Sequence, residues 1–245
     1  MTLIREPTPG DPALGTALSR ALMERVAAGE LGPTFRLHRT SANLAFAKQD
    51  AKAPGFTRAV EAARRLGFPP TLRLAGGRAA VFHEGTLAFA WATPQQRPAA
   101  GTRERFEAMA ELIATALGGL GIDARIGAVP GEYCPGAFSV NAGGRVKLAG
   151  IGQRLIRSGA HVGGVLVATG SARINEVLLP VNEALGIQWD PTATGALEDE
   201  EAAVGLDRAE TAIVAALRDR TEVVEGAIDT ETRALAERYP SDHAL

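Results

Sequence analysis

The stretch from residue 124 to residue 168 limits the fold most strongly, because short strand-like runs follow one another there with little chain between them. Runs rich in apolar residues lie at 124–129, 137–140, 146–150, 154–157 and 162–167. Glycine pairs at 143–144 and 163–164 punctuate them, and glycine permits tight turns and close backbone approach. Parallel strands need crossovers of a dozen or more residues, so the stretch is incompatible with regular βαβ alternation.

Helices are predicted on both sides of this stretch. Apolar residues recur at helical spacing over 12–28, 56–66, 102–117, 172–185, 206–219 and 228–238. Strand patterns occupy 34–38, 43–47 and three runs within 71–91. Asp11 before Pro12 is a typical N-cap, and Gly29 is a typical helix end. The order of elements predicts an α+β fold in which a mixed, largely antiparallel sheet is packed with helices.

Composition excludes several classes of protein. A chain of 245 residues with 46% hydrophobic residues can bury a substantial core. The formal net charge of −2 gives no overall positive potential that would attract nucleic acid. No apolar run reaches the ~18 residues of a membrane span. The first residues lack the basic-then-apolar pattern of a signal peptide. We therefore expect a cytoplasmic protein with no nucleic-acid or membrane partner.

The chain is expected to divide near residue 200. An acidic run, 198–201, precedes the last two helical segments, so we predict a main domain over 1–200 and a C-terminal helical appendage over 201–245. The single cysteine excludes an internal disulfide, and the four histidines lack the spacing of metal ligands. No metal site is predicted.

The first segment that could carry chemistry is 73–85. Gly76 and Gly77 lie between two strand-like runs, where exposed backbone N–H groups can surround an anionic group such as phosphate. Arg73 and Arg78 flank the pair and could add charge complementarity. The alternative is an ordinary hairpin turn with surface arginines. The segment is neither a dinucleotide-binding fingerprint nor a P-loop.

Lys147 is the second candidate. Val146 and Leu148 flank it in a strand pattern, so they share one face of the strand and Lys147 points to the other. Of 26 basic residues only three are lysines, at positions 48, 52 and 147. A lysine kept in mid-strand in such a chain indicates a compact cation facing a carboxylate or phosphate. The alternative is a lysine that simply faces solvent.

Cys134 is the third candidate. It lies in the loop Pro130-Gly-Glu-Tyr-Cys-Pro-Gly136, where core packing explains a cysteine less well than it does in a helix. A nearby cation such as Lys147 would favour the thiolate and make the residue nucleophilic. The alternative is a small, half-buried loop residue without reactivity.

Three motifs in order resemble a known family. They are Arg73-Leu-Ala-Gly-Gly-Arg-Ala-Ala-Val-Phe-His83, Gly144-Arg-Val-Lys-Leu-Ala-Gly-Ile-Gly-Gln-Arg154 and Ser158-Gly-Ala-His-Val-Gly-Gly-Val-Leu-Val167. Together they are similar to lipoate-protein ligases and octanoyltransferases over roughly residues 12–190. The resemblance implies a class II biotin/lipoyl ligase-like catalytic domain within 1–200. It also implies attachment of lipoate or octanoate to a lysine of a lipoyl domain, in 2-oxoacid dehydrogenase subunits or the glycine cleavage H protein.

The resemblance also assigns residues. Lys147 matches the family's lysine that contacts the acyl carbonyl or the phosphate, and Cys134 lies roughly where the transferases carry their nucleophile. The resemblance further implies a set of residues that bind the acyl group or its adenylate. They are Arg73, Gly76, Gly77, Arg78, Ala80, His83, Gly150, His161 and Gly163.

The resemblance leaves three functions open. The leading expectation is a lipoate-protein ligase, which uses ATP and magnesium to form lipoyl-AMP before the target lysine attacks. The alternative is an octanoyltransferase without a cofactor, in which Cys134 accepts octanoate from acyl carrier protein as a thioester and Lys147 accepts a proton. The Gly-Gly-Arg-Ala sequence from Gly76 is more similar to the transferases, since the ligases carry three consecutive glycines. A non-catalytic subunit that binds lipoyl or acyl groups is the third possibility.

Overall fold

The computed structural model describes residues 1–7 and 10–245, and within that part of the chain eleven strands and eight helices form. The strands are β1 (Thr2–Ile4), β2 (Thr34–Arg39), β3 (Asn43–Phe46), β4 (Pro70–Leu72), β5 (Ala80–Phe82), β6 (Thr86–Pro94), β7 (Ala124–Ile126), β8 (Val140–Ala142), β9 (Val146–Ile156), β10 (Gly159–Val167) and β11 (Val224–Gly226). The helices are α1 (Pro12–Ala27), α2 (Phe56–Arg65), α3 (Thr102–Gly118), α4 (Ser171–Leu185), α5 (Leu197–Glu200), α6 (Leu206–Arg218), α7 (Thr230–Ala236) and α8 (Pro240–His243).

Eight strands form one large sheet in the order β11-β1-β2-β6-β10-β9-β8-β7. β1 pairs in parallel with β11 and with β2, and every other pairing in this sheet is antiparallel. The long strands β6, β10 and β9 occupy its middle. The expected mixed, largely antiparallel sheet is therefore confirmed.

A second, smaller sheet has the order β4-β3-β5, and it rules out the alternative of a hairpin turn around the glycines. β4 and β5 do not pair with each other, because β3 lies between them, parallel to β4 and antiparallel to β5. Residues 73–79 consequently form a loop that crosses over from one edge of this sheet to the other. A crossing loop leaves its backbone available to a neighbouring site, whereas a tight hairpin satisfies it internally.

The two faces of the large sheet differ in side-chain size. One face carries Phe35, Leu37 and Phe89, which pack with α3 and α6 in the main hydrophobic core. The alternate residues, such as Ala88 and Ala90, face the side covered by α1. A strand alternates its side chains between faces, so large residues fill one side and small residues leave space on the other.

Local sequence signals located the helices well. Asp11 caps α1, since its carboxylate accepts a hydrogen bond from the Ala13 N–H at 2.9 Å. Two of the predicted strands, 146–150 and 154–157, form the single eleven-residue strand β9. Residues 137–139 lie in the loop before β8.

The residues after 200 contact the rest of the fold in several places, and one of them is α6, which packs with α3 in the main hydrophobic core. β11 adds to the edge of the large sheet beside β1. Ala236 of α7, and Ile228 just before that helix, pack on α1. The predicted division into 1–200 and 201–245 stays a prediction. Among the helices of residues 1–7 and 10–245, none has both the length and the apolar composition needed to cross a membrane.

Gly164 allows the central strands to approach closely, and its replacement provides a test of this packing. A Cβ there would lie 1.8 Å from the carbonyl oxygen of Gly150. Gly164→Ala should lower the free energy of unfolding by about 1–3 kcal/mol, the usual cost of overpacking, as measured by urea denaturation. Gly32→Ala is the matched control, because nothing lies within 4 Å of a Cβ at that position. Equal denaturation midpoints for the two variants would contradict the packing described.

Candidate active site

A cavity of about 550 Å³ lies between the large sheet, α1 and the small sheet. Its size falls within the range of small-molecule sites. Small residues of three neighbouring central strands line it: Ala88, Ala90, Gly150, Gly152 and Gly163. The cavity thus exists because the α1-facing side of these strands carries little more than backbone.

The remaining lining is apolar with a polar border. Phe106 and Phe138 stack with ring centroids 5.1 Å apart, and Phe82, Leu74 and Leu155 add further apolar surface. Hydroxyl-bearing side chains of α1 and of the segment after β2 line the opposite side. Apolar walls favour a hydrocarbon chain, because burying apolar surface gains roughly 25 cal/mol per Å².

Lys147 is almost fully buried, 3% exposed, and lines this cavity. Its flanking residues Val146 and Leu148 pack in the main core, so the predicted division of faces is confirmed. The Lys147 Nζ donates to the carbonyl oxygen of Cys134 at 2.6 Å. Gly150 leaves room for the amine, since a Cβ there would lie 3.2 Å from the Cε of Lys147.

Glu132 is the carboxylate that faces Lys147. One of its oxygens, Oε1, lies 3.5 Å from the Lys147 Nζ, and the side chain is completely buried. Oε1 also accepts hydrogen bonds from the Gly136 N–H at 2.7 Å and the Ser139 hydroxyl at 3.0 Å. Oε2 accepts from the Val129 N–H at 3.3 Å. A buried carboxylate requires such donors and a cation to offset its desolvation.

Cys134 lies at the meeting of two loops. Its Sγ accepts a hydrogen bond from the backbone N–H of Arg78 at 3.2 Å. A Cβ on Gly77 would lie 3.1 Å from this sulfur, and Gly77 adopts φ +101, a conformation that favours glycine. The side chain of Gln49 donates to the Gly77 carbonyl and fixes the loop. An N–H aimed at sulfur stabilises a thiolate more than a thiol.

The groups around Lys147 have opposite effects on its pKa. Burial lowers the pKa of Lys147 below the ordinary lysine value, while the neighbouring Cys134 and Glu132 raise it and Arg73 lowers it again. The amine lies 5.1 Å from the Tyr133 ring, a cation–π distance. Burial is also the main reason that the pKa of the Tyr133 phenol is raised. A lysine with a lowered pKa can exchange a proton during a reaction, as an ordinary surface lysine does not.

Other buried titratable groups lie beside the cavity. His38 and His161 line it, and Arg36, on the same strand as His38, is in register with Ala90 of β6. Burial, with a smaller contribution from the Arg36 charge, lowers the pKa of His161 to about 4 and that of His38 well below its ordinary value. Both imidazoles are therefore neutral at pH 7. The Arg36 guanidinium donates to the Gly15 carbonyl and the Ser19 hydroxyl at 3.0 Å.

Together these groups have the parts of an acyl-transfer site. A thiol with an aimed N–H donor is a nucleophile, and a buried amine beside it can give or take a proton. The apolar cavity can hold the chain of an acyl group.

Comparison with known proteins agrees with this geometry. The sequence model described as "Lipoyl protein ligase A/B catalytic domain" matches residues 11–187. This chain belongs to the lipoyl protein ligase A/B catalytic-domain family. The predicted family resemblance is confirmed.

Curated relatives within this family are octanoyltransferases. The chain is 30% identical over 176 residues to an octanoyl-[GcvH]:protein N-octanoyltransferase of Geobacillus kaustophilus, an alignment that covers 72% of this chain and 62% of the relative. It is 34% identical over 155 residues to the protein of the same name from Anoxybacillus flavithermus, covering 63% and 55%. The chain thus spans somewhat more than half the length of the curated relatives it matches.

Solved structures establish the fold. A lipoate-protein ligase A structure bound with ATP superposes with a TM-score of 0.78 at 17% identity, covering 98% of this chain and 94% of the other. A bipartite lipoate-protein ligase from Thermoplasma acidophilum, studied with its E2 lipoyl domain, gives 0.76 at 17% identity, covering 98% and 91%. The expected class II biotin/lipoyl ligase-like fold is confirmed.

In this lipoyl protein ligase A/B domain, most of the predicted site residues line the cavity described above. Its lining includes Arg73, Gly76, Gly77, Ala80, Cys134, Lys147, Gly150, His161 and Gly163. Arg78 does not line it: its backbone N–H contacts the Cys134 sulfur, and its guanidinium pairs with the buried Asp50 at 3.4 Å. His83 also does not line it, because its ring packs against Gly85 and Gly170 and its Nδ1 accepts from the Gly85 N–H.

Glu132 is the residue that sequence reasoning missed. It lies two residues before Cys134 in the loop already singled out, but a lone acidic residue in a loop is ordinarily solvated. Its contact with Lys147 depends on how that loop folds back over β9. The sequence did carry one signal for the Glu132–Lys147 pair, because an acidic residue lies near the proposed nucleophile in a chain with one mid-strand lysine.

Proposed function

We propose that this protein transfers an octanoyl group to a lysine of a lipoyl-domain protein through a thioester on Cys134. One observation carries the proposal: the Cys134 sulfur, with the Arg78 N–H 3.2 Å away, lines the same apolar cavity as the buried amine of Lys147. ATP-dependent lipoate ligation, the leading expectation from the sequence, has less support, because the curated relatives are named octanoyltransferases. The need for ATP and magnesium belongs to that second function.

The transfer proceeds in two halves. In the first half, the Cys134 thiolate attacks the carbonyl carbon of an octanoyl-lysine amide, and a carbon–sulfur bond forms. The carbon–nitrogen bond breaks as Lys147 gives a proton to the departing lysine amine, which leaves as a neutral amine. In the second half, the neutral amine of the target lysine attacks the thioester carbonyl. Lys147 accepts the proton that this amine loses, and the thiolate departs. Both groups return to their starting states, so no external oxidant or nucleotide is required.

The names of the relatives favour one donor. A protein named octanoyl-[GcvH]:protein N-octanoyltransferase takes octanoate from the H protein, so we propose an octanoylated H protein as donor here. Octanoyl-acyl carrier protein is the other donor that the chemistry allows, because the thiolate released from its thioester is a better leaving group than an amine. The proposed acceptors are lipoyl domains of 2-oxoacid dehydrogenase subunits. A solved structural relative was studied with an E2 lipoyl domain, in line with this acceptor class.

Intact-mass measurement tests the proposed function. The protein is incubated separately with octanoylated H protein, with octanoyl-acyl carrier protein, and with lipoate plus ATP and magnesium. We expect a gain of one octanoyl group with the first donor, lost on treatment with hydroxylamine and absent in Cys134→Ser. A lipoyl domain is then added to each mixture. Lipoylation of that domain in the third mixture, with no acyl-enzyme in the other two, would replace the transferase with the ligase.

A further inference from the structure

Glu132 connects the two reactive residues, and no step of the transfer described above uses it. Its carboxylate accepts from the N–H of Gly136, which lies after Cys134 in the same loop, and from the Val129 N–H before it. The same carboxylate lies 3.5 Å from the Lys147 Nζ on β9. One fully buried side chain therefore holds both ends of the nucleophile's loop and the amine beside it.

We propose that Glu132 is a positioning residue that keeps Lys147 protonated and aimed at the Cys134 loop in the resting protein. The inference rests on the proposed function, since it concerns the same pair. Its physical basis is that an ammonium buried among apolar walls is costly unless a carboxylate compensates its charge. Lys147 then acts on Cys134 as a cation, and the charge of Glu132 acts on Cys134 through Lys147.

The groups facing Lys147 from each packed element are few. Cys134, Tyr133 and Glu132 face it from the 127–139 loop, and Arg73 adds a positive charge from the loop that crosses the small sheet. Of these, Glu132 is the carboxylate paired with the Lys147 amine. Its removal leaves only the Cys134 thiolate to offset burial and the charge of Arg73, which favours the neutral amine and weakens the cation beside the thiolate.

Alkylation of the single cysteine measures this effect directly. Cys134 is the one cysteine in the chain, so the rate of iodoacetamide modification reports its thiolate alone. The reaction needs neither an acyl donor nor an acceptor, so its outcome is independent of whether octanoyl transfer occurs. We expect Glu132→Gln to slow alkylation at pH 7 about tenfold. Glu183→Gln, which removes an exposed charge on α4, should leave the rate unchanged.

A double-variant cycle separates this role from a merely structural one. In a Lys147→Met background, where no ammonium remains to be held, Glu132→Gln should cause no further slowing. Slowing by the same factor in both backgrounds would overturn the proposal, as would an unchanged rate in Glu132→Gln alone.

Glu132→Asp covers the case in which the glutamine variant unfolds. It keeps the charge but is shorter, so its alkylation rate should stay nearer the parent's than that of Lys147→Met. An alkylation rate for Glu132→Asp equal to that of Lys147→Met would contradict a role for the negative charge at position 132.

Discussion

Cys134→Ser is expected to lower the rate of octanoyl transfer at least about 10³-fold while the fold is retained. Loss of a covalent nucleophile removes the intermediate that divides the reaction into two easier steps. Serine has the same shape, but its hydroxyl is a far weaker acid, so the Arg78 N–H that supports a thiolate finds little anion to stabilise. The replacement disturbs packing little, because Cys134 is only partly buried at the edge of the cavity.

The measurement is steady-state transfer of octanoate from H protein to a lipoyl domain, followed by mass spectrometry of the acceptor. Urea denaturation of the same samples establishes that the variant is folded. Gly32→Ala, in a loop where an added Cβ meets nothing, is the matched control and should transfer at the parent's rate. Transfer by Cys134→Ser at the parent's rate would contradict the thioester and leave direct attack by the acceptor lysine as the route.

The sequence predicted the parts of the site better than their arrangement. Residues such as Lys147 were found because local signals are strong: strand alternation set its face, and the scarcity of lysine singled it out. The crossing of β3 between β4 and β5 could not be found in the same way. Two strands joined by seven residues around a glycine pair are typical of a hairpin, and the intervening strand comes from earlier in the chain.

Long-range pairings of short strands were also beyond local patterns. β1 and β11 have three residues each, which is too short to show a period of its own, and they form through the pairing of β11 with β1 and of β1 with β2. The contact of Glu132 with Lys147 is of the same kind, because it depends on the fold of a loop rather than on spacing. Tertiary contacts of this type decide a structure without leaving a local signature.

The choice of lysine at position 147 follows from proton exchange rather than charge alone. This chain uses arginine for nearly all its cations, and an arginine could also neutralise Glu132. A guanidinium stays charged throughout the accessible pH range, whereas a buried ammonium can lose its proton. Burial lowers the pKa of Lys147, which brings its neutral form into reach. The proposed second half of the transfer requires that neutral form.

Lys147→Met and Lys147→Arg should each lower overall transfer by about 10²- to 10⁴-fold, the usual contribution of a general acid or base. The two variants differ in one respect, since arginine keeps the positive charge beside Cys134. Alkylation of Cys134 should therefore be slow in Lys147→Met and closer to normal in Lys147→Arg, although both fail in transfer. Similar transfer rates for Lys147→Arg and the parent would show that charge alone suffices.

The contribution of Lys147 to the rate should change with pH in opposite directions in the two halves of the reaction. This difference tests whether Lys147 gives the proton in the first half and accepts it in the second. In acylation Lys147 is the donor, so the ratio of parent to Lys147→Met rate should fall as pH rises through the lysine pKa. In deacylation it is the acceptor, so the same ratio, measured on isolated acyl-enzyme, should increase with pH. Taking the ratio cancels the ionisation of the acceptor lysine, which is the same in both measurements, and in deacylation the sulfur is acylated and does not ionise. Because burial lowers the pKa of Lys147, both changes should be centred below the ordinary lysine value of 10.5. Ratios that move in the same direction in both halves would mean that Lys147 acts as a fixed cation and that another group carries the proton.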